Sequence, residues 1–495
     1  MWLSSAHVHL TISLLFILSF FSVPFVISVL NSYFAMSTFY IEQFGCRATQ
    51  ADGAAIERQL LGRGCAPSVS PVDAEFVVIN TCTVTSAADA QARDAIRKIH
   101  AQNPAAKILV TGCYAQRAPE EIAALSGVSF VVGNSHKPQI PDLISPHHND
   151  FVQISSIEPQ SVALQTPSLL IGDIFASRDV LVAPVLGGEG NHTRPTLKIQ
   201  DGCNNRCSFC VIPFVRGKSR SLSSETVLSE INRLCHSGSQ EIVLSGINLG
   251  SWGRDLSPRA DILDLLRRIL DETDLARLRI SSIEPLDVTQ DLIALFAGTD
   301  RIAEHFHMPL QSGSDNVLAA MHRWYRTEHY ARRVKLIREF LPNAAIGADV
   351  IVGFPGETEA DHENTLLFID ALPFTYLHVF SYSSRPGTKA AALEAQVPGE
   401  VIHRRARELR ALGESKSASF RQSQIGRTHR VLTLNRPEKF AAAPWTPALS
   451  SNYLQFRIPE IFPTNQLLKI RATFSAETFL HAELISSPAL TAASA

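Results

Sequence analysis

Beyond residue 36 the chain alternates short apolar runs with amphipathic stretches of helical period. FYIEQF (39–44), FVVINTCTVT (76–85), AKILVTGCYA (106–115) and VSFVVGN (128–134) have the apolar, β-branched character of buried strands. ADGAAIERQLLGRG (51–64) and AADAQARDAIRKIHAQ (87–102) predict helices between them. This βαβα rhythm implies a parallel sheet covered by helices. Residues 137–193 are rich in Pro, Ser and His and predict a linker with one or two irregular strands. Six further strand-like runs follow, at 196–200, 241–247, 277–283, 305–310, 345–354 and 376–383. Helical stretches such as SSETVLSEINRLC and RRVKLIREFL separate them. Six βα units fall short of the eight in a full barrel, so a partial, open (β/α)6 barrel is expected. Past 424 the helical pattern disappears. HRVLTL, YLQFRI, LLKIRATF and FLHAEL predict a small antiparallel β-barrel there. The expected class is therefore α/β, with an N-terminal α/β domain at 36–145, a linker at 146–193, a partial barrel at 194–420 and a small β-barrel at 424–486.

The first 35 residues break this pattern. They contain no Lys, Arg, Asp or Glu, and Leu10 to Leu30 is almost continuously apolar, long enough as a helix to cross a bilayer. A signal peptide would carry a positive n-region, which is missing here. The reading adopted is that Met36 is the start and the leader a start-site artefact, with a membrane segment as the alternative. The rest of the chain has the character of a soluble, cytoplasmic protein. Of 495 residues, 45% are hydrophobic and 19% charged, which excludes wholesale disorder. The formal charge of −2 excludes a global basic field, so any RNA contact must use local patches. Eight Cys in so long a chain do not make a small disulfide scaffold.

The arrangement of those cysteines carries the chemistry. Cys203, Cys207 and Cys210 lie within DGCNNRCSFC, directly after the first barrel strand and at the face where barrels keep their active sites. Three thiols at this spacing can grip three irons of a [4Fe–4S] cluster and leave the fourth iron open to an amino-carboxylate ligand. A zinc site would want a fourth protein ligand, usually from a second Cys pair, and none is near. Cys46, Cys82 and Cys113 each sit at or just past the carboxyl end of a strand. In a parallel sheet those ends share one edge, so the three thiols can converge on a metal. Cys65 and Cys235 fit neither group.

CxxxCxxC with Phe209 before the third Cys, on the first strand of a partial barrel, resembles the radical SAM superfamily. The resemblance implies a cluster on Cys203, Cys207 and Cys210 whose open iron binds S-adenosylmethionine, which is cleaved to a 5′-deoxyadenosyl radical. It also implies an adenine contact by Phe209 and cofactor contacts by Ser245 and Gly246 in LSGIN and by Glu284 in SSIEP. No catalytic residue is implied beyond the cluster ligands. FGCR, NTCTVT and TGCYAQ, together with HMPLQSGSD, GFPGET and YSSRPGT, resemble the methylthiotransferase family from 37 to about 420. In that family the Cys46, Cys82 and Cys113 positions hold a second [4Fe–4S] cluster carrying the sulfur to be inserted. Two S-adenosylmethionine molecules are then used, one for methylation and one for the radical. NTCTVT, DGCNN and INLGSWG look most like the branch acting at C2 of N6-threonylcarbamoyladenosine at tRNA position 37. The branches acting on isopentenyladenosine-37 or on a ribosomal-protein aspartate are the alternatives. Thr49 and Gly53 depart from the Asn and Ser common in the family, which bears on packing beside the second triad.

The resemblance further implies a tRNA anticodon stem-loop as partner, a flavodoxin- or ferredoxin-type electron donor, an unspecified sulfur donor and a monomer. Arg216, Lys218 and Arg220, just past the cluster loop, are expected to meet RNA phosphate. The tail corresponds to the family's tRNA-gripping TRAM barrel. With seven Lys+Arg against four Asp+Glu it is only mildly basic, and AAAPWTPA (441–448) departs from Gly-rich barrel turns. His305, His307 and His378 are expected as satisfied core histidines. A cluster-bearing RNA-binding protein without turnover is the non-enzymatic alternative; the open iron position argues against it.

Overall fold

The computed structural model describes residues 37–145, 167–178, 180–185, 193–435 and 444–486. The apolar leader and most of the expected linker lie outside these residues. No helix among the described residues is long and apolar enough to cross a membrane.

Six parallel strands form the N-terminal sheet. In chain order they and their helices are β1 (Thr38–Gln43), α1 (Arg47–Gly62), β2 (Ala66–Pro67), β3 (Phe76–Thr81), α2 (Ser86–Gln102), β4 (Lys107–Gly112), α3 (Cys113–Arg117), α4 (Pro119–Ala123), β5 (Val128–Gly133), α5 (Ile140–Ile144) and β6 (Ser168–Leu170). The spatial order is β2-β1-β3-β4-β5-β6. β3 is buried along its whole length, which is why it reads as an unbroken β-branched run and not as an alternation. The segment read as linker supplies β6, which extends this sheet beside β5.

The second body follows with β7 (Pro184–Val185), β8 (Thr196–Lys198), β9 (Gln200–Asp201), α6 (Ile212–Arg216), β10 (Arg220–Ser221), α7 (Ser224–His236), β11 (Glu241–Ser245), α8 (Ile262–Glu272), β12 (Arg277–Ile280), α9 (Gln290–Ala297), β13 (His305–His307), α10 (Asp315–Ala320), α11 (Thr327–Phe340), β14 (Ala345–Val352), α12 (Glu359–Ala371), β15 (Tyr376–Ser381) and α13 (Gly399–Gln422). β8, β11 and β12 pair in parallel, as do β13, β14 and β15. Bridges Leu278–Ile302 and Ser282–His307 join the two sets into one open six-stranded wall. One apolar core lines it, from Leu197 and Leu244 through Phe306 to Val350.

The C-terminal body is a closed barrel of β16 (Thr428–Thr433), β17 (Thr446–Ser450), β18 (Gln455–Ile458), β19 (Leu467–Ser475) and β20 (Leu480–Ser486). β17 lies in the segment read as an unusual turn. Pro447 hides it from a propensity reading, yet pairs with Arg457 across the ladder.

Two buried ionic joints fix the three bodies together. At the foot of the central wall, fully buried Glu241 accepts from Arg277 (2.5 Å) and Arg279 (2.8 Å). The remaining guanidinium donors of these arginines reach the carbonyls of Arg430, Leu449, Ser450 and Ser451 on the C-terminal barrel, all at 2.9–3.0 Å. Between the N-terminal sheet and the central wall, Asp52 of α1 accepts from Lys137 (2.8 Å) and Arg216 (3.1 Å), and also pairs with Lys198. Asp201 pairs with Lys198 and Arg216, both at 3.0 Å. Burial alone would raise the Asp52 carboxyl, but Lys137, Lys198 and Arg216 outweigh it and hold it well below the usual carboxylate range.

Removing Asp52 strands buried Lys137 and leaves Lys198 and Arg216 with Asp201 as their one remaining carboxylate. Asp52→Ala is expected to destabilise the chain by about 3–5 kcal/mol, read as a shift in the denaturant unfolding midpoint. A second expectation concerns pH. Burial pushes the His429 imidazole on β16 down to about 4. The unfolded chain therefore takes up a proton near pH 6.5 that the folded barrel refuses. The stability this neutral imidazole contributes is present above pH 6.5 and is lost as the pH falls towards 4. His429→Leu should make the stability curve in that window shallower by about 1.4 kcal/mol per pH unit.

Candidate functional site

Cys203, Cys207 and Cys210 hang from the loop between β9 and α6, at the carboxyl edge of the central wall. The loop is shaped by Gly202, whose φ is +71° and where a Cβ would lie 2.0 Å from the Lys218 carbonyl oxygen, leaving no room for a side chain. Each thiol has a polar neighbour. Cys203 Sγ accepts from the Asn205 backbone (3.4 Å) and lies 3.8 Å from Asn248 Nδ2. Cys207 Sγ accepts from Arg323 Nη1 at 3.2 Å, and the other arm of Arg323 pairs with Glu284. Burial, with repulsion from Cys207 and Cys203, pushes the Cys210 thiol up to about 12, against a lowering hydrogen bond from the Ile212 backbone. Burial also raises Cys203.

The second triad forms across the N-terminal sheet. Cys46 caps the start of α1, Cys82 follows β3 and Cys113 opens α3 after β4. Burial, then repulsion from Cys113 and Cys46, pushes the Cys82 thiol up to about 11, so the three sulfurs share one neighbourhood. Gly45 makes room for this: a Cβ there would lie 2.3 Å from that of Cys82. Asn134 Nδ2 approaches Cys113 Sγ at 3.6 Å, and Thr49 Oγ1 approaches Cys46 Sγ at 3.6 Å. Three thiolates this close repel one another, and a cation among them relieves that repulsion. Both triads therefore fit an iron–sulfur cluster held on three sulfurs, with no fourth cysteine beside either among the described residues. Cys65 and Cys235 pack into apolar clusters elsewhere.

The triads face each other. Cys113 packs with Val211 and Val215 from the segment that follows Cys210. A cavity of about 240 Å³ opens here, lined by Val84 and Thr85 past Cys82, by Phe209 and Cys210, and by Asp349 and Phe380 from the central wall. Asp349 accepts from His307 (3.0 Å) and from His378 (3.1 Å). Burial would raise its carboxyl, but these two hydrogen bonds hold it well below the ordinary range. Tyr376 Oη lies 2.9 Å from His307 Nδ1 and 2.7 Å from His305 Nε2, which extends the chain of contacts to the foot of the wall.

Several expectations change against this geometry. Arg216 is 1% exposed, locked between Asp201, Asp52 and Thr49, and cannot reach an RNA backbone. It reaches the second triad through Thr49, whose Oγ1 accepts from Arg216 Nη2 at 3.3 Å and lies 3.6 Å from Cys46 Sγ. Arg220 is also buried and spends its donors on the carbonyls of Ser177 and Arg216. Lys218 alone of the three is exposed. His378 is not a core residue, since about half its side chain meets solvent. Ser245 is buried at the end of β11, and Gly246 lies against Gln200, where a Cβ would come within 2.8 Å of Oε1. Glu284 is committed to Arg323. Phe209 packs with Val317, Met321 and Phe354 and lines the cavity. At the departures from the family pattern, Thr49 supplies the Arg216 and Cys46 contacts, and a side chain at Gly53 would press into Gln43 at 2.6 Å. Arg323 and Asn134 escaped the sequence reading. Arg323 is 116 residues from Cys207, and no local pattern marks a buried arginine as a thiol partner.

Comparison with known proteins gives the family. Residues 38–133 match the uncharacterized protein family UPF0004, and 197–369 match the radical SAM superfamily. A threonylcarbamoyladenosine tRNA methylthiotransferase, MtaB, of Aquifex aeolicus is 36% identical over 79% of this chain and 92% of its own length. Its namesake in Bacillus subtilis is 37% identical over 78% of this chain and 82% of its own. A tRNA-2-methylthio-N(6)-dimethylallyladenosine synthase of Syntrophobacter fumaroxidans is 31% identical over 91% of this chain and 96% of its own. Among solved structures, a radical S-adenosylmethionine methyltransferase, TsrM, of Kitasatospora setae superposes with a TM-score of 0.51 at 16% identity, covering 72% of this chain and 77% of that one, and so shares the fold. Relatives above 30% identity align along most of their length, and both family matches carry one of the cysteine triads; the chain belongs to the radical SAM methylthiotransferase family, a family of transferases that uses S-adenosylmethionine and [4Fe–4S] clusters.

Proposed function

We propose that this methylthiotransferase acts on tRNA and methylthiolates C2 of N6-threonylcarbamoyladenosine at position 37, with a [4Fe–4S] cluster on each triad. The observation that carries this reading is the cavity that Cys210 of one triad lines together with Val84 and Thr85, the residues just past Cys82 of the other. When bound, the cluster on Cys203, Cys207 and Cys210 with S-adenosylmethionine supplies a carbon-centred radical, and the cluster on Cys46, Cys82 and Cys113 supplies sulfur. The chain's own residues prepare the space. Arg323 offsets negative charge at Cys207 and is itself held by Glu284. Arg216 does the same at Cys113 and Cys46. Phe209, Ile351 and Phe380 exclude water from the cavity wall, where Asp349 stays ionised and can accept from a base amine. The electron comes from a flavodoxin- or ferredoxin-type donor, and the enzyme works as a monomer.

One feature favours the threonylcarbamoyl substrate over the dimethylallyl one named for the Syntrophobacter relative. Arg47, the residue after Cys46, is half-buried and makes no hydrogen bond or ion pair among the described residues. Its charge is felt by His305, Tyr376 and Arg194 of the central wall. A threonylcarbamoyl group brings a carboxylate that would neutralise it; a dimethylallyl group brings none.

Two measurements test the reading. Cys207→Ala and Cys82→Ala should each hold about half the iron of the reconstituted enzyme, as expected for one [4Fe–4S] site lost from two. Cys207→Ala should lose 5′-deoxyadenosine formation. Cys82→Ala should lose methylthio transfer; if it retains transfer, the second triad is not the sulfur site. The substrate is tested by anaerobic incubation with tRNA, S-adenosylmethionine and reductant, followed by nucleoside mass spectrometry. A gain of one methylthio group on threonylcarbamoyladenosine is expected. The same gain on dimethylallyladenosine alone would move the enzyme to the other branch.

A further inference from the structure

Two of the three cations expected to meet RNA beside the cluster loop are buried, so the enzyme needs another outer contact near its site. The turn at 321–326 offers one. It is fastened to the cluster loop by three hydrogen bonds: Ser208 N to Met321 O (3.0 Å), Ser208 Oγ to Ala320 O (2.8 Å) and Arg323 Nη1 to Cys207 Sγ (3.2 Å). His322 takes a φ of +56°, and Tyr325 is buried with its hydroxyl donating to the Pro309 and Leu310 carbonyls at 2.7 and 2.9 Å. Between Arg323 and Tyr325, Trp324 is left 73% exposed. A large aromatic held in water on a rigid mount gains nothing from folding, so its surface is available to a partner.

The segment that follows carries exposed arginines. Arg326 and Arg332 have side chains 71% and 62% exposed, with only loose pairs to Asp315 (3.9 Å) and Glu328 (3.7 Å). Such exposed pairs contribute little and yield readily to phosphate. Arg333 and His329 join Arg332 beside Pro285 and Leu286 to line a groove of about 330 Å³. That groove lies on the loop of Glu284, which the Arg323 ion pair ties to the Trp324 turn. An exposed indole flanked by arginines matches single-stranded RNA, whose bases stack on aromatic faces while its phosphates meet guanidinium groups.

We propose that Trp324, with Arg326, Arg332 and Arg333, forms the platform on which a nucleotide next to the target base stacks while the target enters the cavity. This deepens the tRNA reading above and rests on it. The platform positions RNA and takes no part in the chemistry.

The test is fluorescence-anisotropy binding of a labelled anticodon stem-loop to the full, anaerobically reconstituted chain, with iron content and thermal melting measured for every variant. Trp324→Ala should weaken binding roughly 5- to 100-fold, the range for removing one base–aromatic stack, and Trp324→Phe should retain most of the affinity. RNA-induced quenching of tryptophan fluorescence should fall in Trp324→Phe, with the quenching left by the other tryptophans, Trp252 and Trp445 among them, measured in the same variant. Arg332→Gln should lower the slope of log affinity against log salt by about 0.7 for each phosphate that the guanidinium neutralises in the parent. If Trp324→Ala binds the stem-loop as the parent does, the platform is overturned while the tRNA reading stands. If that variant instead loses affinity for an acidic flavodoxin, the surface belongs to the electron donor and the proposal is again overturned. If the parent enzyme binds no tRNA, the tRNA reading fails and the platform with it.

Discussion

The architecture turns on one buried ionic cluster, in which Asp52 from the N-terminal sheet and Asp201 from the central wall share Lys137, Lys198 and Arg216. With Arg220 3.9 Å from Asp201, cations outnumber carboxylates here and positive charge is in excess. Burying unpaired charge is costly, and Arg216 shows where the excess is directed, since it shares Thr49 with Cys46. The cluster is thus complete only when the second triad carries negative charge, as thiolates around iron do. One set of side chains joins two bodies and prepares the ground beneath the sulfur site, so docking and cofactor loading are coupled through the same atoms.

The opposite end of the wall repeats the solution with the signs exchanged. There Glu241 is the buried centre, Arg277 and Arg279 are the partners, and the surplus donors are satisfied by carbonyls of the C-terminal barrel. Carbonyls at fixed distances from a planar guanidinium set orientation as well as attraction. The C-terminal barrel is therefore held in a defined pose relative to the strands of the central wall, and any RNA it grips is presented at a fixed distance from the cavity.

How much of this was legible in the sequence depends on the range of the interaction. The six wall strands and the parallel N-terminal strands follow from local apolar pattern, because each strand buries its own run of side chains. The compact triad was equally legible, since its spacing sits in one loop. The spread triad was visible only as three strand ends on one edge, and resemblance supplied the rest. Arg216 misled because a cation after a cluster loop looks exposed. Nothing local reveals that Asp52, 164 residues earlier, claims it. The pairing of Arg323 with Glu284 was hidden for the same reason. Strand β17 was hidden by Pro447, which strand propensity counts against although the closed barrel pairs it with Arg457.

The position of the cavity also constrains how a nucleic acid is read. A space of about 240 Å³ between two protein walls admits a single unstacked base and excludes a helix. On the proposed tRNA reading the target nucleotide leaves the stack to enter this cavity, and its neighbours then remain outside with their faces uncovered. Uncovered bases need a surface at the rim, while the phosphates need cations that are free to move. The buried ionic cluster can provide neither, because its guanidinium group is already spent on carboxylates. Rigid charge inside and exposed charge outside are therefore separate requirements, and the chain assigns them to different arginines.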